Sequence, residues 1–433
     1  MNQQRQNSAS RILIASLAGT TIEFFDFYIY ATAAVLVFPK LFFPTSNPAS
    51  GTLESLATFA LAFFARPVGS ALFGHFGDRI GRKATLVASL MTMGLCTVAI
   101  GFLPTYSSIG IAAPLLLALF RFGQGVGLGG EWGGAVLLAT ENAPPGKKAW
   151  YGMFPQLGAP LGFSLSSGVF LLIGSLFNGD EFLTIGWRIP FILSFLLVAV
   201  GLYVRLKIVE TPDFVKVMES NQRSKFPLGE VFTKYTRALL LGTLITILIF
   251  LFFYLLTVFA LSWGTSVLTY SRPRFLAAQL ISMIFFTAGI LLSAALAERY
   301  KPVNMLLLSS ILIFFFGLFI STFFIARNWP LLVIFLSGGM LLIGWNYGPL
   351  GTALASLFPA PVRYTGASLA FTLAGILGGS LTPYFATSLA KNHGLTYVGY
   401  YLCLAAVLSC VALVFTKAFL KSESPSLNHG YKD

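Results

Sequence analysis

Twelve apolar windows, each long enough to cross a bilayer, take up most of this chain. They fall near residues 12–37, 53–75, 84–103, 113–139, 150–178 and 187–207, and again near 237–262, 274–297, 303–325, 330–357, 363–390 and 396–420. A span needs about 20 mainly apolar residues, and a helix is the single-segment structure that satisfies its own backbone N–H and C=O groups in hydrocarbon. The pattern therefore predicts an all-α polytopic membrane protein with twelve transmembrane helices. Composition excludes a soluble domain: 56% of residues are hydrophobic and 10% charged, where soluble domains carry about 25% charged residues.

The longest polar connection, residues 208–236, holds Glu210, Asp213, Lys216, Glu219, Arg223, Lys225, Glu230 and Lys234, and parts six spans from six. The expected organisation is a cytoplasmic N-terminus (1–11), an N-terminal six-helix bundle (12–207), a central cytoplasmic loop (208–236), a C-terminal six-helix bundle (237–420) and a cytoplasmic tail (421–433). Assigning Lys and Arg to alternate sides gives roughly twenty on the side shared by both termini and the central loop and about six on the other, with Arg66 and Arg121 inside spans. Clusters Arg79/Arg82/Lys83, Lys147/Lys148, Arg299/Lys301 and Lys417/Lys421 agree with a cytoplasmic assignment of the first set. The net charge of +13 is therefore mainly topology and calls for no nucleic-acid partner. The first apolar stretch is too long for a signal peptide and reads as an uncleaved span. Cys96, Cys403 and Cys410 lie in apolar runs without ligand spacing, so no metal or cofactor is expected.

A faint internal repeat supports a duplicated six-helix unit. Gly74, Gly77, Asp78 and Arg79 after the second span match Ala294, Ala297, Glu298 and Arg299 after the eighth, at a constant offset of 220.

Ionisable groups at hydrocarbon depth cost about 2.5–3.5 kcal/mol each on translocon scales, so each asks for a partner or a purpose. They are lopsided here. Glu23 and Asp26 lie in span 1, Arg66 in span 2, and Arg121 and Glu131 in span 4, whereas the interiors of spans 7–12 hold none. Proton or ion coupling is thus expected in the first half. Glu23 and Asp26 share a helical face, with Phe27 and Tyr30 beside them. In the functional reading one of them, Asp26 before Glu23, takes up a proton on one side and releases it on the other; in the alternative, Asp26 forms a structural ion pair with Arg121. Arg121 offers planar donors to Asp26 or to a substrate carboxylate. For Glu131, a contact to Arg66 or to backbone stands beside a coupling role.

The run Arg121 to Ala135, rich in glycine and carrying Gln124 and Glu131 on one face, predicts close helix packing rather than a nucleotide loop. The turn-rich Gly74–Lys83 segment predicts a tight cytoplasmic hairpin, with Asp78 placed to accept from the N–H groups of a nearby helix start. His75 reads as a solvated loop residue. In the second half, Trp345, Asn346 and Tyr347 sit beside Gly344, Gly348 and Pro349, where a helix break is tolerated if it lines a cavity. With Tyr30, Arg121, Gln124 and Gln156 they form the expected substrate-binding set.

These segments carry a resemblance. Gly19 to Tyr28, Ala65 to Gly69, Gly74 to Lys83, Arg121 to Ala135, Gly186 to Phe191, Glu210 to Phe214 and Phe358 to Gly366 are similar to the metabolite:proton symporter branch of the major facilitator superfamily, closest to shikimate permease-like transporters, over nearly the whole chain. The resemblance implies two pseudo-symmetric six-helix bundles in a bacterial-type inner membrane, a midplane substrate site between them, alternating access and import driven by the proton gradient. Asp26 and Arg121 stand where related symporters keep an acid and its arginine partner, and Gly74, Gly77, Asp78, Arg79, Gly81 and Arg82 stand in the loop that latches the cytoplasmic side. Family substrates, which include shikimate, citrate, 2-oxoglutarate, proline and betaine, share a carboxylate. Two departures stand out: Lys301-Pro302 replaces a Gly-Arg in the second copy of the latch, and Gly158-Ala-Pro160-Leu-Gly162 is faintly similar to a motif of drug exporters. The expected function is proton-coupled uptake of a small organic acid or zwitterion, with export as the alternative; no enzyme is expected, since no metal constellation or nucleophile elbow appears in a polar pocket. The partners are substrate, protons and lipid. A monomer is compatible with the chain, and no sequence feature specifies an oligomeric state.

Overall fold

The computed structural model describes residues 8–44, 48–220, 224–325 and 328–428, and among them every regular element is helical. Twelve apolar helices follow one another: α1 (Ala9–Leu36), α2 (Leu53–Ile80), α3 (Arg82–Phe102), α4 (Ala112–Glu141), α5 (Lys148–Leu176), α6 (Gly179–Leu206), α7 (Thr236–Ser266), α8 (Pro273–Tyr300), α9 (Pro302–Leu318), α10 (Trp329–Ser356), α11 (Ala360–His393) and α12 (Leu395–Ser422). Eleven are long and apolar enough to cross a membrane; α9, with 17 residues, is shorter, and the chain turns at Phe319 before a further helical turn at Ile320–Phe323. Of the expected terminal segments, Ala9–Arg11 already belongs to the first helix and the last helix runs on to Asn428, while residues 1–7 and 429–433 lie outside the described residues.

The chain forms two compact units, Met1–Asn142 with Leu157–Pro227, and Ala143–Gln156 with Leu228–Asp433. A cut at the central loop alone would have assigned 143–156 to the first unit. Its grouping with the second has a polar cause. Glu298 accepts from the Trp150 backbone N–H at 2.8 Å, Thr352 donates to the Lys148 carbonyl at 3.2 Å, and Gln156 donates to the Tyr347 carbonyl at 3.1 Å.

Within the first unit α4 is the hub, packed most extensively on α2 and α3. Its glycines make this possible. Gly125 and Gly129 lie against the Ala62 and Arg66 backbone of α2, and Gly127 lies against Met93 and Ser89 of α3, leaving no room for a Cβ at any of them. Ser70 adds a 2.7 Å hydrogen bond to the Gly129 carbonyl. The expectation of close packing for this run holds. In the second unit the α8–α10 pair repeats the arrangement, with Gly289 against the Leu341 carbonyl as Gly69 lies against that of Val126. Gly69 and Gly289 keep the offset of 220.

The same offset relates the turns that follow. Gly81, with φ +121°, links α2 to α3, and Lys301, with φ +70°, links α8 to α9. The left-handed turn is thus kept in both units although only the first has glycine there.

Candidate functional site

The buried face of α1 brings the acidic pair inside. Asp26 is fully buried and Glu23 nearly so. Ser194 of α6 donates to Asp26 Oδ1 at 2.6 Å, while Oδ2 is buried with no hydrogen-bond partner among the described residues. Thr97 of α3 commits its hydroxyl to the Met93 carbonyl at 3.0 Å and accepts from Gln124 Nε2 at 2.8 Å. Gln124 also reaches the Asp26 backbone carbonyl at 3.4 Å and accepts from Arg121 Nη1 at 2.5 Å. One neutral amide therefore ties α4 to both α1 and α3.

Arg121 has no exposed surface, and its guanidinium lies 3.9 Å from the Tyr30 ring centroid and 4.9 Å from that of Phe27. Tyr30 is held in place by a 2.6 Å hydrogen bond between its hydroxyl and that of Thr58. The Asp26–Arg121 ion pair considered from sequence is not formed: Ser194 holds the acid and Gln124 the arginine. The two remain linked through Gln124, with an uncharged group between them. A carboxylate that is not neutralised by a guanidinium, and that has one oxygen open, can accept a proton without breaking an ion pair.

A second charged group lies beside it. Glu131 of α4 pairs with Arg205 of α6, whose Nη1 reaches Glu131 Oε2 at 2.8 Å and the Leu86 carbonyl at 2.7 Å while Nη2 closes on Oε1. Ser89 donates to Oε2 at 3.1 Å. The contact of Glu131 to Arg66 weighed from sequence is thus replaced by Arg205. Positive-inside counting left Arg205 among the cytoplasmic charges because it lies near the end of its span, two residues before Lys207, yet it is 2% exposed. Gly19 of α1 lies against this pair. Glu23, one turn along, is under the electrostatic influence of Arg66 and Arg205, and its Oε2 is buried without a partner. Arg66 stacks on Phe27 and Phe63, 4.7 and 5.3 Å from the ring centroids.

The Gly74–Lys83 segment continues α2 as helix and turns at Gly81. His75 is half-buried, against Arg79, Phe76 and Phe226. Asp78 and Arg82 are buried and ion-paired at 3.1 Å, and Arg82 also reaches Glu141 at 3.4 Å. The N–H groups at the start of α3, from Arg82 and Lys83, are taken by Glu210 at 3.0 and 3.2 Å.

In the second unit, Asn346 and Tyr347 continue the helix and the break in α10 falls just after them, at Gly348 and Pro349. Asn346 donates to Ser309 of α9 at 2.9 Å, with its Oδ1 left without a partner, as is the indole N–H of half-buried Trp345. Gln156 is wholly buried on the Tyr347 carbonyl next to the break. These side chains cluster around one helix interruption, and among the described residues none carries charge. Ser194, Thr97 and Ser309 were invisible from sequence, because a lone hydroxyl in an apolar run signals nothing until its partner is known.

Two kinds of relative place this arrangement. Over 415 residues the chain is 52% identical to the inner membrane metabolite transport protein YhjE of Escherichia coli K12, covering 95% of this chain and 94% of that one. The chain belongs to the major facilitator superfamily, among its metabolite transporters. Another member, the shikimate transporter of the same organism, is 33% identical over 419 residues, with 94% of each chain covered. Residues 11–225 match the family model described as sugar (and other) transporter. The major facilitator fold itself is matched by the E. coli proton:xylose symporter XylE, at a TM-score of 0.74 and 16% identity over 95% of this chain and 96% of that one. As a member of this superfamily the protein is a membrane-spanning transporter of small molecules and not an enzyme.

Proposed function

We propose that this transporter imports a small polar organic acid or zwitterion by proton symport, with Asp26 as the proton carrier. The observation that carries the reading is the state of the Asp26 carboxyl: fully buried, held by Ser194 at Oδ1 with the Thr97 hydroxyl nearby, without a hydrogen-bond partner at Oδ2 among the described residues, and joined through Gln124 to Arg121. Proton arrival at Oδ2 changes the charge next to a fixed guanidinium network, which is the kind of local event that biases an alternating-access equilibrium. Glu23 is the second candidate carrier and Glu131 the third; the Arg205 ion pair favours a positioning role for Glu131. The shikimate transporter among the relatives supports a carboxylate substrate, which buried arginines suit.

Lysine and arginine asymmetry supports cytoplasmic termini in a bacterial-type inner membrane, with Gly74, Gly77, Asp78, Arg79, Gly81 and Arg82 forming the cytoplasmic gate. Tyr30, Arg121, Gln124, Gln156, Trp345, Asn346 and Tyr347 are the proposed substrate-binding groups. The span 5 glycines that suggested export have a packing role, since Gly158 and Gly162 lie against Thr20 and Phe24 of α1. In proteoliposomes with an imposed inward proton gradient, substrate accumulates above its external concentration and an uncoupler abolishes that accumulation. Accumulation that persists with the uncoupler contradicts symport.

A further inference from the structure

Arg66 is the buried cation of the first unit whose chemistry the preceding reading leaves unused. It is 4% exposed, and its Nε is sealed from solvent without an acceptor. Among the described residues no carboxylate lies within ion-pair distance of it and no group accepts a hydrogen bond from it; it lies over the faces of Phe27 and Phe63, and the charge that acts on it from farther off is that of Glu23. An arginine in the interior of a membrane protein is costly unless its donors are met, and ring faces satisfy its charge only in part. Stacking occupies the flat faces of a guanidinium. Its in-plane N–H groups, the ones that form a two-pronged contact to a carboxylate, stay available.

The other two arginines of this region differ. Arg205 spends both terminal nitrogens on Glu131, and Arg121 is bonded to Gln124. We propose that Arg66 is the group that takes the carboxylate of the transported molecule, an assignment that rests on the carboxylate reading above and moves the anchoring role from Arg121 to Arg66. Two further features fit it. The Phe27 ring is shared by the Arg66 and Arg121 guanidiniums, at 4.7 and 4.9 Å, so a ligand on Arg66 is one side chain away from the Arg121–Gln124–Asp26 link. Glu23 Oε2 supplies an unmet acceptor in the same region, suited to a hydroxyl or ammonium donor on the same molecule. The ligand class is a carboxylate that also bears a donor: a hydroxy acid or an amino acid.

The test is proton-driven uptake in proteoliposomes of isotopically labelled shikimate, citrate, 2-oxoglutarate, proline and betaine, presented together and then singly, by the wild-type protein, Arg66→Lys and Arg66→Gln. Lysine keeps the positive charge and can stack on the rings, but it lacks the planar fork. The expected result is that KM for the accumulated compound rises tenfold or more in Arg66→Lys, with the melting temperature and size-exclusion profile of the wild type, and that Arg66→Gln shows no saturable uptake. A KM for Arg66→Lys within twofold of the wild type overturns the assignment and leaves Arg66 as a structural cation over two rings. Should Arg66→Gln fail to fold, the lysine variant alone supplies the decision. Accumulation of none of the five compounds by the wild type overturns the carboxylate reading itself, and the assignment with it; accumulation of 2-oxoglutarate or betaine alone, which bear no donor, overturns the hydroxy-acid or amino-acid class.

Discussion

The Arg205 guanidinium and the Glu131 carboxylate meet fork to fork in the interior of the first unit, joining α6 to α4. Removing one partner of a buried pair leaves an uncompensated charge, which costs about 3–5 kcal/mol, whereas removing both is often close to neutral. Arg205→Met is therefore expected to lower thermal stability strongly, and the Glu131→Gln/Arg205→Met double variant to recover most of the loss. Melting curves of the purified single and double variants check this; equal damage in both contradicts it.

Gly19 is the part of α1 that lies against this pair. A methyl group at that position would run into the Arg205 guanidinium, with the Glu131 carboxylate close behind. Overpacking a site of this kind costs about 1–3 kcal/mol. Gly19→Ala should lower the melting temperature in the wild-type background and do so less when Arg205 is already methionine, since a flexible neutral chain yields where a paired guanidinium does not.

The turn between α8 and α9 stores strain that its counterpart avoids. Lys301 holds φ +70°, in the left-handed region where a side chain costs about 1–2 kcal/mol. Lys301→Gly is expected to raise thermal stability by about 1 kcal/mol or less, once the extra freedom of glycine in the unfolded chain is set against the relief. Gly81→Ala is expected to do the opposite, because φ there is +121° and a Cβ would meet the Glu210 carboxylate that caps α3. Paired melting measurements on the two variants should give shifts of opposite sign.

How much of this was legible follows from the range of each interaction. Hydropathy reports a helix through its own residues, so the twelve apolar helices were readable, with errors at the ends: the window 303–325 contains the turn at Phe319 that shortens α9. The burial of Glu23, Asp26, Arg121 and Glu131 was readable because charge within an apolar run has no other place to go. Their partners were not. Asp26 meets Ser194 across 168 positions and Glu131 meets Arg205 across 74, and nothing local marks either contact. Arg205 was misjudged for a physical reason: a basic residue near a span end is ordinarily at the interface, and here the small Gly19 surface on α1 lets it turn inward. The second copy of the turn at Gly81 looked eroded because Lys301-Pro302 lacks the glycine, yet the backbone keeps the same hand of turn, with Lys301 in the left-handed region.

Gln124 is bonded to both Arg121 and the Asp26 backbone. Gln124→Leu removes that link while keeping nearly the same volume, and it removes a hydrogen bond to a charged group, a loss of about 1.5–3 kcal/mol. The expected outcome is a protein that accumulates substrate less steeply per unit of pH gradient, read as the ratio of internal to external substrate at several imposed gradients. An unchanged ratio would separate the glutamine from coupling.

The most direct test of the account is Asp26→Asn, which keeps the shape and the contact with Ser194 but cannot carry a proton. In proteoliposomes the variant is expected to exchange labelled for unlabelled substrate across the membrane, at a rate within tenfold of the wild type, and to show no accumulation under an inward proton gradient. Uphill accumulation by Asp26→Asn equal to that of the wild type would contradict the claim that this carboxyl carries the coupled proton.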